Sequence, residues 1–289
     1  MTSPLLIADL PWLLYRSFFA LPRSIQDGEG HPVGALLGTV NALLSAIEAC
    51  APRAVVACTG AEQARYRVEL YPPYHAHRDP MPGELRWQWE RAPALLAGFH
   101  WLVAGDEELE ADDVMFSYAR VEEEGGGTAL LLTGDRDLFQ AVTARVAVLP
   151  SRREEGSDAI GPAQVRGRYG VAPALVPDFI ALRGDPSDGL PGAPGIGAKT
   201  AAALLAEHGS LEALLDDAAT GLGRVRGRRA LTLTEHAQQL RDFKRIATLV
   251  RVDLARPPDR ATDPSGGAEA ARALGMRRLA ERLERAAAP

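Results

Sequence analysis

Lysine is nearly absent from this chain: only Lys199 and Lys244 occur, and arginine carries the remaining positive charge. Together with the abundance of alanine, this bias is what a GC-rich genome produces, so it excludes nothing by itself. Cysteine is also scarce. Cys50 and Cys58 are too few for a disulfide framework or a four-thiolate zinc site, and both sit in apolar stretches that suit buried thiols. Aromatic residues are only 6%, so aliphatic side chains must fill most of the core. No apolar run approaches the ~20 residues of a membrane span. The apolar start, residues 5–21, lacks a basic flank and is interrupted by Asp9, Pro11 and Arg16, unlike a secretion signal. These absences predict a soluble, cytoplasmic protein that makes no membrane contact.

A chain of 289 residues with 46% hydrophobic content can build one large domain or a domain with a smaller companion. The net charge of −6 is unfavourable for a polyanionic partner, but the distribution matters more than the sum. Residues 105–124 hold nine acids and one base, whereas residues 221–251 hold eight Lys/Arg and two acids. A concentrated acidic site with a separate basic surface suits a metal-dependent enzyme acting on a polyanion. Two solvated helix faces of opposite sign would give the same pattern, so charge alone does not decide.

Short apolar runs at 5–8, 54–57, 101–103, 129–132 and 146–149 read as buried strands. Helical spacing fills 33–50, after Pro32, and 110–124, which ends at three glycines. This rhythm predicts an α/β fold: a mostly parallel sheet with helices on both faces. Residues 61–91 break it, with four prolines, several arginines and no strand signal, and a long connection of that kind is usually functional. After Pro162 helices dominate, at 174–183, 198–208 and 210–217. The expected organisation is an α/β domain over 1–165, a helical region over 166–256, and a linker with one C-terminal helix over 257–289.

Eight acids fall at strand ends or in short groups. Asp9 follows the first strand; Glu110, Asp112 and Asp113 open a helix; Asp135 and Asp137 follow the fourth strand; Asp185 and Asp188 precede a glycine-rich turn. Carboxylates gathered at the C-terminal ends of parallel strands repel one another without cations. Oxygen ligands without sulfur favour Mg²⁺ or Mn²⁺, and two such ions can activate water and stabilise a leaving oxygen. N-capping explains any one of these acids well and the whole group poorly.

The run from Gly189 to Leu205 is not a Walker loop, because Ala198 follows Gly197 where lysine is required, and it does not complete a dinucleotide fingerprint. It reads as a helix-hairpin-helix turn. Gly195, Ile196 and Gly197 would bring backbone amides to a phosphate, with Lys199 and Thr200 at the following helix start. Such contacts position DNA without reading its sequence.

Glu110-Ala-Asp-Asp-Val, Thr133-Gly-Asp-Arg-Asp-Leu and Gly184-Asp-Pro-Ser-Asp-Gly-Leu-Pro-Gly, in this order, resemble the bacterial 5′-nuclease family, which includes the N-terminal domain of DNA polymerase I. Asp9 with Tyr15-Arg16 is similar to that family's opening motif. The resemblance spans roughly residues 4–255, and the expectation is a free-standing nuclease. It implies a PIN-like fold with a helical arch at 61–91 and two groups of metal ligands for two or more ions: Asp9, Glu110 and Asp112 in the first, while Asp113, Asp135, Asp137, Asp185 and Asp188 would build or support the second. It also implies DNA contacts by Arg16, Arg67 and Tyr74, and a catalytic contact of Arg78 with the scissile phosphate. Two positions depart from the pattern. Gly60 stands where the family has another metal-binding aspartate, with Glu62 as its nearest substitute, and His75 stands where it has a catalytic lysine.

The resulting expectation is a monomeric, nucleoid-associated 5′-3′ exonuclease and 5′-flap endonuclease of replication or repair. Its substrates would be 5′-flap, nicked or 5′-ended duplex DNA, with RNA–DNA hybrids as further candidates. The alternatives are a catalytically impaired protein that binds DNA structures and a metal-dependent ribonuclease.

Overall fold

In the computed structural model, which describes residues 3–149 and 159–287, all five apolar runs become strands of one sheet. The first half runs β1 (Leu5–Asp9), α1 (Leu10–Ala20), α2 (Gly34–Cys50), β2 (Ala54–Thr59), α3 (Arg65–Leu70), α4 (Gly83–Gly98), β3 (Leu102–Gly105), α5 (Ala111–Glu124), β4 (Ala129–Leu132) and β5 (Val146–Leu149). Helices follow: α6 (Pro162–Tyr169), α7 (Val176–Arg183), α8 (Ala198–His208), α9 (Leu211–Thr220), α10 (Gly227–Glu235), α11 (Ala237–Ala247), α12 (Pro264–Ala273) and α13 (Arg277–Ala287).

The strands are parallel throughout, in the order β3-β2-β1-β4-β5. Alternation of side chains along β1 divides the core between two faces. Leu5 and Ile7 join α5 through α11; Leu6 and Ala8 join α1, α2, α4, α12 and α13. The chain steps outward from β1 to β2 and β3, then returns to place β4 on the other side of β1. Strand order therefore reverses between β1 and β4, and open α/β sheets bind ligands outside the carboxyl ends of strands at such a point.

Several boundaries differ from the sequence expectation. The third strand starts at Leu102, and it is a half-exposed edge strand rather than a buried one. The C-terminal segment is two helices, α12 and α13, because Gly275 turns the chain at φ +71°. This hairpin packs on α4 over the sheet: Gly266 and Gly267 sit tightly against Gly98 and Phe99. A connecting strap ties the helical half to the sheet, with Val252 N–H donating to Ser117 Oγ (2.8 Å) and Arg260 N–H to the Arg53 carbonyl (2.8 Å). Arg53 and Arg256 both bond the fully buried Glu122 carboxylate. Losing either arginine leaves a buried charge undercompensated, a strongly destabilising change.

The arch expectation narrows. Within 61–91, α3 packs near α11, and α4 is rooted in the core by Leu85, Ala92, Leu95 and Leu96. Gln88 fixes α4 further, its Oε1 accepting from Ala35 N–H (2.7 Å) in the first turn of α2. Only the turn of residues 71–82 remains between these two helices, and it carries Tyr74, His75 and Arg78.

Candidate active site

Asp9 ends β1 at the strand-order reversal and is buried. One oxygen caps α1 through Trp12 N–H (2.9 Å), and the other accepts from Thr133 Oγ1 (2.7 Å). Thr133 also accepts from Asp135 N–H (2.9 Å), and Asp135 from Asp137 N–H (2.9 Å). One hydroxyl thus registers the end of β1 against the loop after β4. Thr133 belongs to the quoted motif, but sequence reasoning assigned it no role. An oxygen-bearing residue directly at a strand end was the available signal.

The eight predicted acids separate into two kinds of environment. Glu110 and Asp113 share Arg67, at 2.9 and 2.8 Å. Asp185 is held by Arg183 (3.0 Å) and by Ser187 N–H (2.8 Å); Asp188 is held by His75 (2.9 Å) and Arg78 (3.5 Å). Arg183, two residues before Asp185, was a partner that sequence reasoning missed.

Burial is the largest influence on Asp9, Asp112, Asp135 and Asp137, with neighbouring carboxylates adding to it; it also raises Asp113, where Arg67 opposes it. Burial pushes Asp9 up to about 6, with Asp135 adding to the effect and the Thr133 and Trp12 bonds opposing it. Burial, Asp135 and Asp9 hold Asp112 well above the usual carboxylate range. Asp137 is raised similarly by burial, Asp135 and Asp188, and Asp135 is raised by burial against its bond from Asp137 N–H. These four are the carboxylates that most need a cation.

Among the described residues, no three His, Cys, Asp or Glu side chains converge closely enough to hold an ion as they stand. The donor chemistry nevertheless fits a hard divalent cation. The crowded groups are carboxylate oxygens, and a cation among them would relieve the repulsion that raises their pKa values.

Three predicted roles change. Asp113 is fully buried, with Arg67 and Val250 N–H (2.7 Å) on one oxygen and Glu110 N–H (3.2 Å) on the other. It is therefore a structural carboxylate rather than an available metal ligand. Arg67 and Tyr74 are 3% and 4% exposed and bonded to Glu110, which places them inside the fold rather than on its surface. His75 is also buried; its ring stacks on Tyr74 (3.8 Å) and bonds Asp188, so it bridges two loops and does not project as a free cation. Arg78 and Arg16, by contrast, are exposed.

Gly60 does not leave room for the missing aspartate. Any Cβ there would lie 2.4 Å from the Leu109 carbonyl oxygen and 2.6 Å from the Glu110 carbonyl carbon. Ala61 N–H bonds that same Leu109 carbonyl (2.8 Å), fixing β2 against the start of α5. Glu62 is exposed.

The glycine-rich turn joins α7 to α8, as a hairpin between two helices should. Asp185 and Leu190 exchange backbone hydrogen bonds (2.8 Å each way). Gly184 and Gly192 approach so closely that a Cβ on Gly192 would lie 2.3 Å from Gly184 N, and both have positive φ. Ile196 is buried in the core and its N–H bonds Ala193 O (3.0 Å), so it anchors the turn rather than offering an amide. Gly195, Gly197 and Lys199 are exposed and Thr200 is half-buried at the start of α8.

Residues 4–170 match a family described as 5′-3′ exonuclease, N-terminal resolvase-like domain, and residues 171–261 match 5′-3′ exonuclease, C-terminal SAM fold. A 5′-3′ exonuclease of Mycobacterium tuberculosis is 35% identical, with 99% of this chain and 98% of the relative covered. A thermostable DNA polymerase I of Thermus thermophilus is 39% identical over 96% of this chain, which spans only 32% of that relative. Among solved structures, the bacteriophage T5 5′-exonuclease with bound divalent zinc superposes with a TM-score of 0.69 at 17% identity, covering 97% of this chain and 96% of that one. The catalytic core of Rad2 in complex with DNA substrate gives 0.64 at 12% identity, covering 98% and 91%. At these identities the two structures establish the shared fold.

Proposed function

The chain belongs to the 5′-3′ exonuclease family, and from that premise we propose that it hydrolyses DNA phosphodiester bonds near a 5′ end, as an exonuclease and as a 5′-flap endonuclease, with two or more Mg²⁺ or Mn²⁺ ions. The observation that carries this reading is the group Asp9, Asp112, Asp135 and Asp137, whose pKa values burial and mutual repulsion raise. A protein does not gain stability from such a group; it suits cation binding.

When bound, divalent ions would supply an activated water and charge stabilisation for the leaving oxygen. Asp9, Asp112, Asp135 and Asp137 would hold them, with Glu110, Asp185 and Asp188 completing the set. Thr133 keeps Asp9 and the Asp135 loop in register. Arg78, exposed beside Asp188, would meet the phosphate diester as it approaches the carboxylates. The hairpin turn and the Lys199 end of α8 would hold the duplex backbone, leaving the strand end to enter beside residues 71–82. The T5 flap endonuclease, known in a pseudo-enzyme-product complex with DNA and metal ions, shares this fold, which supports DNA and metal ions as ligands.

The deciding assay is cleavage of 5′-labelled flap, nicked and single-stranded DNA, and of an RNA–DNA hybrid, in Mg²⁺, Mn²⁺ or EDTA. Short products released from the 5′ side, absent in EDTA, are expected. Tight binding without cleavage in any metal would instead establish the impaired DNA-structure-binding protein.

A further inference from the structure

Arg67 occupies the junction between the acidic site and the helical half of the molecule. It lies on α3 and is 3% exposed. Its guanidinium makes three directed contacts: Nη1 to Glu110 Oε1 (2.9 Å), Nη2 to Asp113 Oδ1 (2.8 Å), and Nε to the Ile246 carbonyl (3.0 Å) at the end of α11. The Tyr66 ring lies against it, 5.3 Å from ring centroid to guanidinium carbon.

Each partner is fixed from other directions too. Glu110 accepts from Ala64 N–H (2.8 Å) and from Tyr74 Oη (3.0 Å); Asp113 accepts from Val250 N–H (2.7 Å) just beyond α11. Burial opposes the charge on Arg67, but Glu110 and Asp113 outweigh it and keep the guanidinium protonated. A planar fork serves two carboxylates and a carbonyl at once, which an ammonium cannot do with the same geometry.

We propose that Arg67 is a positioning residue of the metal site: it sets the orientation of Glu110 and ties it to the seating of α11, while touching neither DNA nor metal. This rests on the reading of Glu110 as a metal ligand, and differs from the sequence expectation that Arg67 contacts DNA. Partners that orient a metal-binding carboxylate commonly change metal affinity by 10–100-fold when lost. A phosphate contact has another signature, since each one adds about −0.9 to the slope of log K against log salt. The two roles therefore separate in solution.

The test uses the full chain. Mn²⁺ binding to the DNA-free protein is followed by electron paramagnetic resonance, and nicked-duplex affinity is measured in EDTA across a salt series. Arg67→Lys keeps the charge and loses the fork. Its Mn²⁺ affinity should fall at least about tenfold, with duplex affinity and salt slope unchanged. Tyr74→Phe removes one donor from Glu110 and no charge, and should weaken Mn²⁺ binding in the same direction by less. Unchanged Mn²⁺ affinity in Tyr74→Phe overturns the proposal even if Arg67→Lys fails to fold. It also falls if Arg67→Lys retains Mn²⁺ affinity, or if its salt slope becomes shallower by about 0.9, which would restore the DNA contact. A merely structural arginine would lower the melting temperature in EDTA and leave Mn²⁺ affinity of the folded protein intact. Should the wild type bind Mn²⁺ yet cleave nothing, the proposed reaction fails while the Mn²⁺ titration still decides the role of Arg67.

Discussion

Gly60 lies against Leu109 so closely that a Cβ on the glycine would stand 2.4 Å from the Leu109 carbonyl oxygen. The contact is with backbone, which cannot rotate away as a side chain can. Gly60→Asp therefore cannot restore the carboxylate that the family pattern has at this position. It should destabilise the fold by about 1–3 kcal/mol, as overpacking does, and the metal concentration for half-maximal cleavage should not fall. Thermal melts with a metal titration of the cleavage rate check this; a lower metal requirement would show that the 109–111 backbone can move.

Asp112→Asn and Asp137→Asn each remove one carboxylate from the group whose pKa values are raised most strongly by burial and neighbouring charge. Both should abolish most cleavage while leaving duplex binding in EDTA near wild type. Both should also raise the melting temperature of the metal-free protein, because less repulsion remains. Undiminished cutting by both variants would remove this group from the reaction.

Asp9 gives the metal-free protein a pH dependence with a definite sign. Its carboxyl titrates near 6 in the fold against an ordinary 3.8. Between those values the native state binds more protons than the unfolded chain, so stability falls as pH rises through that window. The full effect of Asp9 is on the order of 3 kcal/mol, and above pH 6 its contribution is flat. Urea unfolding in EDTA from pH 4 to 7 should show this decline, and Asp9→Asn should reduce it. Saturating Mg²⁺ should stabilise most above pH 6, where the carboxylates are ionised. A metal-free protein whose stability rises across that range would contradict the burial-dominated shift.

Gly197 caps α8 at φ −89°, and nothing lies within 4 Å of where its Cβ would be. Gly197→Asp should fold normally while placing a negative side chain where a phosphate approaches the helix start. Affinity for nicked duplex should drop regardless of sequence, most at low salt, where the added repulsion is least screened. Loss of single-strand binding alone, with duplex affinity intact, would reassign the turn.

The five strands, the acids at their ends and the hairpin turn were legible because each is a local pattern. Alternating or continuous apolar runs specify a strand, and glycines at fixed offsets specify a turn, whatever else the chain does. Sequence spacing likewise picked out Asp9, Asp112, Asp135 and Asp137, as four of eight candidate acids. Spacing could not say which acids lack a counter-charge. That depends on Arg67 meeting Glu110 and Asp113, and on His75 meeting Asp188, residues 113 positions away. The same limit hid the tight seat of Gly60 on Leu109 and the return of α12 and α13 onto α4. Periodicity acts between neighbours in the chain, whereas compensation of a buried charge and room for a side chain are set by whatever the completed fold brings within a few ångströms.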